Sequence, residues 1–217
     1  MKLRSILLFA GIYYAAVTAA TAGLLNGDFE SPVLGNGITI VPGGEPAGFG
    51  WTVASGSVDL IHTYWQPASG SQSLDLDGIA AGTIYQDFTF DSAGSWSIQF
   101  AMSANPDASG DKTMQVSFGT PGGPLTSLGA YTLSSNGRTY SNMQWVTMTT
   151  PNVTAQSGVT YRLEFTSLTP GAYGPALDNI QLVPAPEPSC LSIFACGLLF
   201  ACRHVPRKVK SRTQTTS

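Results

Sequence analysis

Cysteine is missing from the whole middle of this chain: the three in the 217-residue sequence are Cys190, Cys196 and Cys202, all near the C-terminus. Between residues 23 and 183 neither a disulfide framework nor a thiolate metal site can exist, so that stretch must hold together by packing, with a hard metal ion as its one inorganic option. Positive charge is almost as scarce there. Lys112, Arg138 and Arg162 stand against twelve Asp and Glu, a net charge of −9, which repels a phosphate backbone and excludes nucleic acid as a partner. Histidine is reduced to His62. That residue shares strand parity with Val58 and Leu60, so it reads as the end of a core-facing strand, and no Ser-His or Cys-His pair is left for nucleophilic catalysis. No window carries an apolar stripe at helical spacing.

What is present divides into two ends and a middle. Lys2 and Arg4 precede an apolar run from Ile6 to Val17, and Ala20 and Ala22 supply the small-x-small spacing of a signal-peptidase site. Residues 1–22 are therefore predicted to be a signal peptide, with the exported chain starting near Gly23. At the other end an apolar run from Ser189 to Cys202 is followed by Arg203, Arg207, Lys208, Lys210 and Arg212. As a helix that run covers roughly 21 Å against a hydrocarbon core of roughly 30 Å. The basic cluster after it favours the cytoplasmic side, so a short transmembrane segment would leave the body of the protein outside. Pro186, Glu187 and Pro188, the short run and the basic tail together resemble the PEP-CTERM sorting signal of exopolysaccharide-producing bacteria. The resemblance implies that residues 184–217 are an address read and removed by an exosortase, after a transient stay in the membrane.

The middle, residues 23–183, has the length of one domain. Period-two alternation runs through it: Tyr161, Leu163 and Phe165 share one face of "TYRLEFT", and Trp96, Ile98, Phe100 and Met102 share one face of "SWSIQFAM". Further strands are predicted over 24–30, 50–54, 57–62, 71–76, 83–90, 113–118, 145–149 and 177–183, separated by Gly, Pro, Ser and Asn clusters. About ten short strands without helices read as an all-β, antiparallel β-sandwich, most economically a jelly roll. Trp51 and Trp96 fall on core parities. The Gly/Pro-rich segment 31–48 and the acidic "NPDASGD" read as long loops, where binding tends to reside.

Three segments, "NGDFE", "GWTVASGSVDLIHTYWQPASGSQSLDLDG" and "SLTPGAYGPALDNIQL", closely resemble the choice-of-anchor C family of exported bacterial proteins. The resemblance covers about 24–183. It implies a galactose-binding-like jelly roll and an anchor of the sortase or PEP-CTERM kind, and it brings no established activity.

Two constellations are candidates for chemistry. Asp178 shares parity with Ile180 and Leu182, which turns a carboxylate inward, where it needs a partner. If the first and last strands pair antiparallel, Glu30 meets it; the two would either hold a structural calcium, as related carbohydrate-binding jelly rolls do, or cap backbone amides. Tyr64, Trp65 and Gln66 in "TYWQPASG" and Tyr173 in "TPGAYGPA" lie in loops. Their rings would either stack on a pyranose face, with Gln66 taking hydroxyls, or cover Gly-rich turns. The function expected is a non-enzymatic surface or matrix protein whose jelly roll binds extracellular polysaccharide. A purely structural or adhesive module with protein partners is the alternative, and a glycosidase using two of the twelve acids comes third.

Overall fold

The computed structural model describes residues 23–185. The predicted signal peptide, the Pro186–Pro188 motif and the sorting tail lie outside the described residues.

Eleven strands make up the fold: β1 (Gly37–Gly44), β2 (Thr52–His62), β3 (Gln72–Asp75), β4 (Thr83–Thr89), β5 (Gly94–Ala104), β6 (Asp111–Gly119), β7 (Thr126–Ser134), β8 (Val146–Thr149), β9 (Val153–Ala155), β10 (Thr160–Ser167) and β11 (Pro175–Pro184). Among the described residues there is no helix. The strands run antiparallel in the order β7-β6-β10-β4-β2-β3-β11-β5-β8, with β1 on β2 and β9 on β5. Four strands separate β5 from β10 in that order, yet Phe100 of β5 meets Phe165 of β10 edge to face at 5.4 Å and Tyr131 of β7 at 5.2 Å. The sheet therefore curls back on itself, and its two halves pack face to face as an antiparallel sandwich of the jelly-roll type.

The alternation that specifies the strands also fills the core. Tyr161, Leu163 and Phe165 are buried, as are Trp96, Ile98, Phe100 and Met102, and Trp51 and Trp96 are each only 2 % exposed. His62 ends β2 half-buried, its Nδ1 2.9 Å from the Gly35 carbonyl oxygen.

Three differences from the expected strands have physical causes. Residues 24–30 do not form a strand. Asn26 and Phe29 adopt φ of 49° and 54°, and the Asn26 side chain accepts from Ser31 N (2.9 Å) while donating to the carbonyls of Ser31 and Phe49 (both 2.7 Å). A short polar side chain that bonds its own neighbourhood favours a turn over a ladder. Conversely, β1 arises inside the segment read as a loop. Its Ile38 and Ile40 are 43 % and 50 % exposed and it pairs only with β2, so no buried face marks it in the sequence. Strands β7 and β9 likewise lie outside the expected set; β7 pairs only with β6, and much of it is exposed or half-buried.

Candidate functional site

The end of β2 delivers "TYWQ" to the face opposite the main core. Trp65 is buried there, 3 % exposed, in a small second cluster with Ile61, Met143 and Ala176, and its Nε1 donates to Ser73 Oγ at 2.8 Å. It is therefore not the open platform that its loop position suggests. The correction has a specific cause: residues 136–145 fold back over this face and bring Met143 onto the indole, a long-range arrangement that strand parity does not encode.

Around that buried indole lies a set of partly exposed rings. Tyr64 packs 5.9 Å from Trp65 and 5.0 Å from Tyr140, which is 46 % exposed. The Tyr64 hydroxyl donates to Asp107 Oδ2 at 3.0 Å, and the Tyr140 hydroxyl also donates to Asp107. Gln66 is exposed; its amide donates to the Tyr140 carbonyl (2.7 Å), and its own carbonyl accepts from Nε1 of the half-buried Trp145 (2.8 Å). The neighbouring Tyr140 hydroxyl, burial and the Asp107 carboxylate hold the Tyr64 phenol well above its usual range, so it stays a hydrogen-bond donor. Asp107 comes from the acidic "NPDASGD" loop, whereas no sequence motif marks Tyr140 and Trp145, which also belong to this patch. The one signal that points to those two is the Asn136-Gly137 turn, with aromatics following it at 140 and 145.

Tyr173 is 48 % exposed, on the loop entering β11. The carbonyl of the next residue, Gly174, accepts from Asn105 N at 3.0 Å, and Asn105 Oδ1 accepts from Asp107 N at 2.8 Å. The Tyr173 loop and the Tyr64–Tyr140 pair are thus joined through residues 105–107.

Glu30 and Asp178 bracket the turn 68–72 from its two sides. Asp178 Oδ2 accepts from Ala68 N (2.8 Å) and Ser69 N (2.9 Å), and its Oδ1 accepts from Asn179 N (2.6 Å). Glu30 Oε1 accepts from Ser71 N (2.7 Å) and Gln72 N (2.8 Å). Gly70 between them sits at φ 58°, where a Cβ would lie 2.2 Å from Glu30 Oε1. A side chain at that position would push Glu30 off the two amides it accepts from, so glycine suits the turn. Burial first, with some repulsion from Glu30, pushes Asp178 up to about 7 against the pull of its three amides. Three of the four carboxylate oxygens thus serve the backbone. Among the described residues no three His, Cys, Asp or Glu side chains converge to hold a metal ion, and calcium takes six to eight oxygens. The pair fits amide capping, and a calcium ion there is a proposal that needs further ligands.

A groove of about 410 Å³ opens beside β4, lined in part by Glu45, Thr52, Tyr85, Gln86 and Asp87. Its acids are engaged. Arg162 holds both Asp87 oxygens (2.7 and 2.9 Å) and lies 3.5 Å above the Tyr85 ring, while Glu45 accepts from Thr52 Oγ1 at 3.2 Å.

Fold and patch together define an all-β sandwich with an aromatic, hydrogen-bonded surface at its loop end. The chain belongs to the family described as "Protein of unknown function (DUF642)", which matches residues 22–183. It is 32 % identical over 192 residues to halomucin of Haloquadratum walsbyi (strain DSM 16790 / HBSQ001), an alignment covering 84 % of this chain and 2 % of that protein. Among solved structures it is similar to TmCBM61 in complex with β-1,4-galactotriose (TM-score 0.46, 13 % identity, 75 % of this chain and 97 % of that one). It is also similar to the xylan-binding domain CBM22-1 of Paenibacillus barcinonensis Xyn10C (TM-score 0.46, 16 % identity, 71 % and 99 %).

Proposed function

We propose that the chain is an exported, non-catalytic carbohydrate-binding protein of a bacterial surface or extracellular matrix, and that Tyr64, Tyr140 and Trp145 form its sugar platform. The observation that carries this reading is the fixed aromatic patch: two tyrosine hydroxyls anchored on one carboxylate, and an indole N–H anchored on the Gln66 carbonyl. Rings locked before the ligand arrives lose little freedom on binding. Their faces suit the apolar side of a pyranose, while the Gln66 side chain and Asp107 can serve its hydroxyls. Tyr173, on the adjoining loop, extends the same surface. With three bases against twelve acids in residues 23–183, the ligand is a neutral polysaccharide rather than an acidic one.

Tyr140→Ala is expected to weaken binding to soluble galactan or xylan fragments, or to host exopolysaccharide, by about ten-fold or more, which is about 1.4 kcal/mol. It removes a ring that is about half exposed, so unfolding stability should change by no more than about 1 kcal/mol. Calorimetric titration and urea unfolding of the full chain measure the two. Unaltered affinity for a glycan that the parent binds would refute the platform.

The finer reading is that the exported protein follows the choice-of-anchor C pattern, with its C-terminal segment acting as a PEP-CTERM-like signal for an exosortase. Intact mass spectrometry of protein extracted from the host surface should then find a chain ending near Pro188. A chain that still carries Arg212 would contradict it.

A further inference from the structure

Three carboxylates that neither the sugar patch nor the Glu30–Asp178 turn uses are gathered at the same end of the sandwich. Asp59 of β2 and Asp75 of β3 are cross-strand partners, and Asp77 follows two residues later. Asp75 and Asp77 are 1 % and 0 % exposed, and Asp59 is half-buried. Asp75 is well served: its Oδ1 accepts from Asp77 N (3.0 Å) and Gly174 N (3.1 Å), and its Oδ2 accepts from Asn105 Nδ2 (2.6 Å). Its neighbours are not. Both oxygens of Asp77 and Oδ1 of Asp59 are buried without a hydrogen bond of ordinary geometry, although the Ser167 hydroxyl and the Gly82 amide approach Asp77 and partly offset its burial.

The charges facing the cluster do not balance it. Asp59 comes from β2, Asp75 and Asp77 from β3 and its end, and Lys112 from β6 is the cation acting on it. The other elements packed around it bring neutral groups: Ser167 from β10, Gly174 and Ala176 at the start of β11, and Asn105 after β5. Three ionised carboxylates against one ammonium in so dry a place are costly.

Two loops close over these acids. Gly78 N donates to Ser57 O (2.9 Å), Ile79 N to Ser57 Oγ (2.8 Å) and Ser167 N to Gly82 O (2.9 Å), while Gly174 N reaches Asp75. The approach is close: a Cβ on Gly174 would lie 2.4 Å from Asp77 Cγ, and one on Gly78 2.9 Å from Asp59 Oδ1. Ile79, Leu168 and Tyr173, on the outside of the same loops, are all exposed.

We propose that Asp59, Asp75 and Asp77 form a proton-held latch: with a proton retained in the cluster the loops 77–82 and 168–174 lie closed, and full ionisation loosens both. Burial, aided by mutual repulsion, raises Asp75 well above the ordinary 3.8 and raises Asp59 to about 6; burial likewise raises Asp77 to about 6. A closed form that binds protons more tightly than the open one is favoured in acid, and that advantage is lost as pH rises through about 6. The latch does not rest on the sugar reading and meets it at Tyr173 and at Asn105, which bonds both Asp75 and Asp107.

Amide hydrogen exchange of the full chain, corrected for intrinsic exchange rates, tests this at about pH 5 and about pH 7.5. For one carboxyl that titrates near 3.8 when open and near 6 when closed, opening should be about ten-fold more frequent at the higher pH. The effect should appear in peptides covering the two loops and not in those covering β7 and β8. Asp77→Asn and Asp59→Asn should each shrink it, and Asp59→Asn alone carries the comparison if Asp77→Asn fails to fold. Loop protection independent of pH in the parent, or a pH effect undiminished in the folded variants, overturns the latch. So does recovery of protection at pH 7.5 on adding ~1 mM calcium, which would make the cluster a cation site instead.

Discussion

Replacing Trp65 by alanine is expected to cost about 3–5 kcal/mol of unfolding free energy, the range for emptying a large buried aromatic site. The indole is 3 % exposed, touches Ile61, Met143 and Ala176, and loses its bond to Ser73 when removed. Urea unfolding of the full chain reads the loss directly. Tyr173→Ala serves as the contrast: its ring is 48 % exposed, and stability should stay within about 0.5 kcal/mol of the parent. A loss below about 1 kcal/mol at Trp65 would mean that the second apolar cluster does not form. Because Tyr64 packs on this indole, Trp65→Ala should weaken glycan binding as well, indirectly, by loosening the ring beside it.

The second large effect is a stability that falls as the solution becomes alkaline. In the folded chain Asp178 is held near 7 by burial, against about 3.8 when ordinary. Its raised value makes the folded state the better proton binder. The resulting stabilisation is complete below about pH 4 and disappears as pH climbs through about 7. Each tenfold gain in proton affinity on folding is worth about 1.4 kcal/mol, so the whole effect amounts to a few kcal/mol. Asp59 and Asp77, both near 6, act with the same sign. Urea midpoints at about pH 5 and about pH 8 should therefore differ by an amount that Asp178→Asn reduces. Amide capping by Glu30 and Asp178 predicts the same midpoints with chelator and with millimolar calcium. A rise at pH 8 caused by calcium and lost in Asp178→Asn would put the ion between these carboxylates, since a ligand of the folded state stabilises it by mass action.

Strand parity is enough to read the core, because a run of alternating residues has one face buried. Asp178 is buried by another route, since β11 is buried on both faces over 175–178 and a register shift with Asn179 at φ 51° puts Leu177 and Ile180, not Asp178, in the main core. Asp178 is 0 % exposed, and its meeting with Glu30 comes about by a different route from the one expected. Residues 24–30 form no strand, but Ile180 N still donates to the Gly27 carbonyl at 2.7 Å, which keeps the two chain ends side by side. What parity cannot convey is the path of 136–145. That segment buries Trp65 and adds Tyr140 and Trp145 to Tyr64, joining residues up to about eighty positions apart that no local pattern links. The proton latch is hidden for the same reason. Asp59, Asp75 and Asp77 read as unremarkable strand and turn acids until the pairing of β2 with β3 and the closure of the 174 loop bring them together.

The sugar platform is tested most directly by mapping amide and indole NMR shifts of the full chain while a bound neutral oligosaccharide is titrated in. The Trp145 indole N–H and the Gln66 amide, bonded to each other's neighbourhood across the patch, are the natural reporters. The account predicts that their signals and those of Tyr64, Tyr140 and Asp107 shift together and saturate with one affinity. Shifts confined to the groove of Tyr85 and Asp87, with these signals unmoved, would contradict it.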